Sequence, residues 1–327
     1  MRRLILYLYS LLGVFTYYRK KQASPIVLFW HGVSDDASPE IEGESFPVGL
    51  FIKQIKHLKR HYEIISMNEF YERYLHHSFS NREVLITFDD GYKNNLTVAA
   101  PILRSLNIPF TVFVSAQNVE LQERFYVLTP RLVIIGASLE QVDIPMLSYS
   151  RHCKNQRERI ACAHEVEYRI KYLSHEDAIG VSNYLISVIG NEKYSELCKK
   201  YTEGKLLSWN DVITLSRDFN CTIGSHCLDH CICHETQDKD LMKKQIVDSK
   251  TLIEDRTGLN CDFFAYPNGD YTEFSNIIVE SNYKMGFSTE RISAYESKSI
   301  ASIGRIGVPR SLILFKHAIT KGAIRFR

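Results

Sequence analysis

The sequence predicts an α/β fold built on parallel strands, and three features carry that prediction. Apolar runs of strand length recur at Ile26–Trp30, Val84–Phe88 and Phe110–Val114, and unbroken runs of this kind suit strands buried on both faces. Segments with apolar residues at helical spacing alternate with them, as parallel strands require of their crossovers. The first two runs end in polar residues, His31-Gly32 and Asp89-Asp90-Gly91. Barrels and open sheets place their chemistry at the carboxyl ends of such strands.

The elements follow in order. Phe51, Ile55 and Leu58 mark a helix over Phe51 to Tyr62, Ile64-Ile65 reads as a short strand, and Met67 to His76 as another helix. After Val84–Phe88 a helix runs through Ala99 to Leu106, and the strand Phe110–Val114 follows. Glu120 to Lys205 is more charged, helical in pattern and free of motif candidates, so it reads as an insertion packed beside the strands. The rhythm resumes with a helix from Trp209 to Arg217, a strand Cys221 to Gly224 and a helix from Lys239 to Thr257. The strand Phe263–Ala265 then leads into Tyr266-Pro267-Asn268-Gly269. Asn276 to Ser281 is expected to be a short helix, and Met285–Phe287 the last strand.

A chain of 327 residues can bury a large core as one α/β unit or as two domains. Forty Lys and Arg against 38 Asp and Glu leave a net charge of +2, without the strongly basic balance expected of a nucleic-acid binder. The 19 Tyr and 17 Phe belong mostly to the core, with some available as flat platforms for sugars. Eight cysteines are expected as reduced thiols on an intracellular protein, because a chain of this size folds without bridges.

The N-terminal segment 1–24 stands apart from the single α/β domain expected over 25–327. Arg2-Arg3 precedes the apolar run Leu4 to Tyr18, and Arg19-Lys20-Lys21 follows it. The run falls short of the roughly 20 residues a spanning helix needs. Its flanking cations suit a helix lying in an anionic membrane interface through residues 1–21. A cytoplasmic, peripherally membrane-associated protein is therefore expected, with a signal anchor and a capping core helix as the alternatives.

Two motifs carry chemistry. Asp89 and Asp90 at the end of an apolar strand would be unfavourable unless something neutralised them. A bound metal does so, and lets one carboxylate ligate while the other takes a proton. Ser225-His226-Cys227-Leu228-Asp229-His230 offers two imidazoles four residues apart, which a helical turn would present on one face. With one carboxylate they form a set with open positions for water and substrate. Each motif alone has an ordinary structural reading, as a turn or a packed histidine pair.

In combination, the strand ending in Asp-Asp-Gly, the downstream Ser-His-x3-His and the later Phe-Ala-Tyr-Pro-x-Gly resemble the polysaccharide deacetylase family with the NodB homology domain. The likeness spans roughly Pro25 to Pro309 and leaves Glu120 to Lys205 unsupported. The resemblance implies a distorted (β/α)7-type barrel with a mostly helical insertion, about 120–205. It implies Asp89 as general base, Asp90, His226 and His230 as ligands of one divalent metal, and Tyr266 and Pro267 lining the cleft. A backbone N–H near Tyr266 would help hold the oxyanion. Zinc leads, with cobalt, nickel, manganese or iron also suited.

The opening Phe29-Trp30-His31-Gly32-Val33, with Phe51, Gln54 and Leu58, resembles the circularly permuted biofilm-polysaccharide deacetylases, in which an N-terminal histidine supplies the general acid. The resemblance implies that role for His31; the usual late Leu-x-His is not evident, His317 being a poor match. Two further departures stand out. Cys227 replaces the usual Thr or Ser, and the third motif lacks the arginine that orients the base, for which Arg305 or Arg310 could substitute. The cluster Cys227, Cys231, Cys233 and His234 does not match the paired spacing of structural zinc sites. The expected substrate is an N-acetylated amino-sugar polymer or lipid-linked glycan. Hydrolysis of another amide and a non-catalytic glycan-binding or assembly role are the alternatives.

Overall fold

The computed structural model describes residues 24–320, apart from 43, 44, 81 and 293, together with 6, 8, 9, 12, 14, 15 and 17. The segment 1–24 therefore lies mostly outside the described residues. The chain enters the fold on β1 (Ile26–Trp30) and passes through helix α1 (Val48–His61) to β2 (Glu63–Ile64) and α2 (Met67–Leu75). Strand β3 (Glu83–Phe88) leads through a π-turn into α3 (Ala100–Ser105), and β4 (Phe110–Val114) into α4 (Ala116–Leu121).

The insertion follows. It holds a β-hairpin, Gln141–Ile144 against Tyr149–His152, and the helices α5 (Gln156–Ile170), α6 (His175–Ile189) and α7 (Asn191–Lys200). The insertion is mostly helical, as expected, and the hairpin is its strand part: Gln141–Ile144 alternates exposed and buried residues, the period of a strand. The barrel resumes with α8 (Trp209–Asp218), β5 (Cys221–Ser225), α9 (Lys239–Thr257), β6 (Phe263–Ala265), α10 (Glu273–Asn282) and β7 (Met285–Phe287). Strand β7 is not the last, because β8 (Ile306–Gly307) and α11 (Leu312–Ile319) come after it.

The main sheet runs β7-β6-β5-β4-β3-β1-β8, with β2 added on β3, and its pairings are parallel. The chain between β7 and β8 curls it toward a barrel. Ile303 bridges to Phe287 at one edge, and three residues later Ile306 pairs with Leu28 of β1 at the other. Strand alternation divides the core. Leu28, Trp30, Ile86 and Phe88 join the large cluster under the helices, while Val27, Leu85, Phe113, Phe263 and Phe287 pack together on the opposite face. That second face carries Phe29, Thr87 and, one step beyond the strand ends, His31 and Asp89.

Helix α1 shows why the early spacing matters. Phe51, Gln54, Ile55 and Leu58 form its buried stripe. The one polar member, Gln54, accepts from Trp30 Nε1 at 3.4 Å and donates to the Pro309 carbonyl at 2.9 Å. A buried amide so paired avoids the cost of an unsatisfied polar group and ties the start of the barrel to its end.

Candidate active site

The functional side chains stand at the carboxyl ends of β1, β3 and β5. Strand β3 ends at Phe88, and Asp90 and Gly91 turn the chain sharply, both left-handed at φ 74° and 75°. Glycine is needed at 91, since a Cβ there would meet Val114 Cγ1 at 2.9 Å. His226 follows β5, where its N–H donates to the Val114 carbonyl at 2.9 Å. The His226–His230 segment is an irregular turn rather than the expected helical one, with Cys227 at φ 61° and His230 at φ 63°. The strand pairing of His226 and the left-handed bends replace the α-helix, and the rings still meet, their centroids 5.2 Å apart.

Asp90 Oδ1 lies 3.5 Å from Nε2 of both His226 and His230. The three ligand atoms fall within 4.8 Å of one another, and all three residues are buried. Donors about 2.1 Å from a tetrahedral ion stand about 3.4 Å apart, so this spacing fits a shared cation. The protonation state fits as well. His226 Nδ1 donates to the Ala265 carbonyl at 2.7 Å, which leaves the Nε2 lone pair directed at the shared position. Burial pushes the His226 pKa down to about 4 and that of His230 well below its ordinary value, so both imidazoles are neutral donors. Among the described residues this is the one such group of three.

Asp89 faces the other way. Arg305 grips it with both arms, Nη1 to Oδ1 at 2.7 Å and Nη2 to Oδ2 at 2.8 Å. The guanidinium is itself fixed, donating from Nε to the Ser288 carbonyl at 3.1 Å and from Nη1 to Thr87 Oγ1 at 3.2 Å. It lies over the Phe29 ring at 4.7 Å and the Phe113 ring at 5.6 Å. Burial pushes the Asp89 carboxyl upward, but the facing Arg305 charge and hydrogen bonds outweigh it and hold the pKa below the usual carboxylate value. Of the two candidate arginines, Arg310 is elsewhere, donating to the Ser45 carbonyl and stacked on Phe46.

His31 stands at the open side, its Nε2 4.0 Å from Asp90 Oδ2 and its side chain 27% exposed. The Asn95 amide donates to its carbonyl at 2.7 Å. Tyr266 and Pro267 do not line the cleft, contrary to expectation. Both are buried, and the Tyr266 N–H donates to the Phe287 carbonyl at 3.0 Å because residue 266 continues the β6–β7 pairing. Asn268, left-handed at φ 59°, reaches the cleft instead, with Thr289 beside it.

The two aspartates, the three histidines, Asn268 and Thr289 line a cavity of about 250 Å³ whose remaining wall is Phe29 and, from the insertion, Phe125, Val127, Leu128, Glu167 and Lys171. The insertion residues carried no motif, so sequence reasoning missed them; Asn268 was readable as a turn residue after proline. The eight cysteines are free thiols, and Cys227, Cys231 and Cys233 are buried. His234 turns to Thr236 and Gln237, so the Cys/His cluster does not converge on a second centre.

Comparison with known proteins agrees with this geometry. A family model described as polysaccharide deacetylase matches residues 76–146 and 185–287, over half of the chain. No curated protein sequence matches. Among solved structures, the Streptococcus pyogenes deacetylase PplD in complex with acetate is 16% identical, with a TM-score of 0.60 over 93% of this chain and 100% of that one. IcaB from Ammonifex degensii is 16% identical, with a TM-score of 0.58 over 92% and 97%. A de-N-acetylase from Aggregatibacter actinomycetemcomitans is 12% identical, with a TM-score of 0.52 over 88% and 96%. At such identities these likenesses speak for the distorted barrel fold alone. The family model, matched across the strands that carry Asp89, Asp90, His226 and His230, goes further: the chain belongs to the polysaccharide deacetylase family.

Proposed function

We propose that the chain is a metal-dependent hydrolase that removes N-acetyl groups from the amino sugars of a surface polysaccharide or lipid-linked glycan, releasing acetate and leaving a free amine. The observation that carries the reading is the convergence of Asp90, His226 and His230 beside an Asp89 held ionised by Arg305. A divalent cation bound there, zinc before cobalt, nickel, manganese or iron, would polarise the amide carbonyl and lower the pKa of the attacking water.

The chain's own residues do the rest. Asp90 and the two neutral imidazoles would hold the cation. Asp89, fixed in plane by Arg305, takes the proton of the attacking water, and each of its oxygens keeps a lone pair beyond the arginine. His31, at the open side of the cleft, protonates the departing amine. Phe29, Phe125, Val127 and Leu128 exclude bulk water from the acetyl group. The oxyanion donor is not the Tyr266 N–H, which is engaged in the sheet.

The location follows the same reading: residues 1–21 lie against an anionic membrane surface, beside a lipid-linked or surface glycan. Exposed Leu8 and Leu12 support it, while Leu6 and Phe15 pack inward on Ile313.

The deciding experiment measures metal per chain and acetate release from an N-acetylglucosamine oligomer. Wild type is expected to hold about one metal, His226→Ala to lose it, and a Cys231→Ser/Cys233→Ser variant to keep it. Acetate release should stop with chelator and return with zinc or cobalt. A folded wild type that binds no metal after repletion, or metal that follows the cysteines, would overturn the proposal.

A further inference from the structure

The two metal-site histidines are held by different parts of the molecule. The barrel fixes His226 on three sides: its N–H donates to the Val114 carbonyl, its carbonyl accepts from Ser115 Oγ at 3.0 Å, and its Nδ1 donates to the Ala265 carbonyl. His230 Nδ1 is buried and has no hydrogen-bond partner among the described residues. A metal-bound imidazole ordinarily has its second nitrogen held by a carbonyl, carboxylate or water. The His230 backbone is also left-handed, a conformation that needs outside support in a residue with a Cβ.

That support comes from the insertion. Tyr126 Oη donates to the His230 carbonyl at 3.3 Å. The Phe125 ring lies against the His230 ring, centroids 5.0 Å apart. His175, the first residue of α6, places Nε2 3.0 Å from the carboxylate of Asp229, the residue just before His230. His175 is fixed in turn: it is buried, its N–H donates to Gln237 Oε1 at 2.8 Å, and its ring meets Tyr126 edge-on at 5.2 Å. The two insertion residues, packed on each other, grip consecutive residues of the metal loop, one by the side chain and one by the carbonyl.

We infer that the insertion is the buttress of the metal site: His175, through Asp229, and Tyr126, through the His230 carbonyl, are positioning residues that aim the His230 imidazole at Asp90. The barrel supplies two ligands in fixed orientation, and the insertion completes the third. The inference rests on the metal-dependent reading above.

Zinc affinity of the full chain, measured by competition with a chromophoric chelator, tests it without using activity. His175→Ala and Tyr126→Phe should each weaken zinc binding by about 10- to 100-fold, the range found when partners of a metal ligand are removed. His175→Gln, which retains an N–H donor toward Asp229, should recover most of the loss. Val181→Ala truncates a buried residue of the same helix. It should lower the thermal midpoint while leaving zinc affinity unchanged, separating positioning from mere destabilisation. Wild-type affinity in both His175→Ala and Tyr126→Phe, or equal weakening in Val181→Ala, would overturn the inference. A wild type that binds no zinc would instead remove the metal reading on which it stands.

Discussion

Asp89 and Asp90 are chain neighbours, yet their surroundings give them different work. Asp89 meets a guanidinium that holds both its oxygens, and Asp90 meets two neutral imidazoles at 3.5 Å. Loss of Asp89 should therefore cost turnover and not metal. Asp89→Asn is expected to keep wild-type metal content while kcat for acetate release falls by about 10²- to 10⁴-fold, the usual worth of a general base. Arg305→Lys keeps the charge but loses the two-armed grip, and should lower kcat less than Asp89→Asn does. Turnover by Asp89→Asn at the wild-type rate would remove the base from the mechanism. The residue types at strand ends were legible in the sequence, because buried acids and closely spaced histidines stand out from an apolar background. The choice between Arg305 and Arg310 was not, since Arg305 reaches Asp89 across 216 positions through the closure of the sheet. Tyr266 was misplaced for a related reason: whether its N–H is available depends on whether β6 still pairs with β7 at that point, which a local motif does not record.

At the scale of elements, the start of β3 offers a check on how the first strands are tied together. Glu83 opens the strand fully buried, accepting from Ser80 N at 2.6 Å, Arg82 N at 2.9 Å and Arg73 Nη1 at 2.7 Å. Arg73 reaches from α2 and also binds Glu63 of β2 and Glu69. Burial pushes the Glu83 carboxyl upward, but the hydrogen bonds from the Ser80–Glu83 turn, backbone donors foremost, prevail, and its pKa lies below the ordinary value. A carboxyl lowered on folding stabilises the protein above its unfolded pKa, and that contribution fades as pH falls through the folded value. Glu83→Gln should lower stability by about 2 kcal/mol at pH 7, and the gap to wild type should close below about pH 4. Urea midpoints across that range would show it, and a gap independent of pH would contradict it. Long periodic elements such as α1, α9 and β3 were readable, because a buried stripe or run repeats its signal. The two-residue β8 and the four-residue hairpin strands are too short to repeat theirs. The metal loop was read as helical from a four-residue spacing, which left-handed turns at Cys227 and His230 also satisfy.

For the whole molecule, the described N-terminal residues meet the barrel through α11. Parallel α/β architecture was legible from alternation alone, whereas curling of the sheet depends on the Phe287–Ile303 bridge and the β1–β8 pairing, which no periodicity announces. The described N-terminal residues divide by side: Leu6 and Phe15 are buried with Ile313 of α11, while Leu8 and Leu12 are 51% and 76% exposed. No helix among the described residues is long and apolar enough to cross a membrane. An outward apolar pair one turn apart, in a segment flanked by Arg2-Arg3 and Arg19-Lys20-Lys21, would serve as the interfacial anchor proposed above. Such an anchor binds through apolar contact and through attraction to anionic lipid, and only the second is screened by salt. The chain should float with phosphatidylglycerol-containing vesicles at low ionic strength, bind neutral phosphatidylcholine vesicles less, and be partly released by salt. Leu8→Asp/Leu12→Asp should abolish flotation without changing acetate release from a soluble oligomer, because these side chains point away from the body that holds the site. Flotation that survives the double substitution would place the membrane contact elsewhere on the chain.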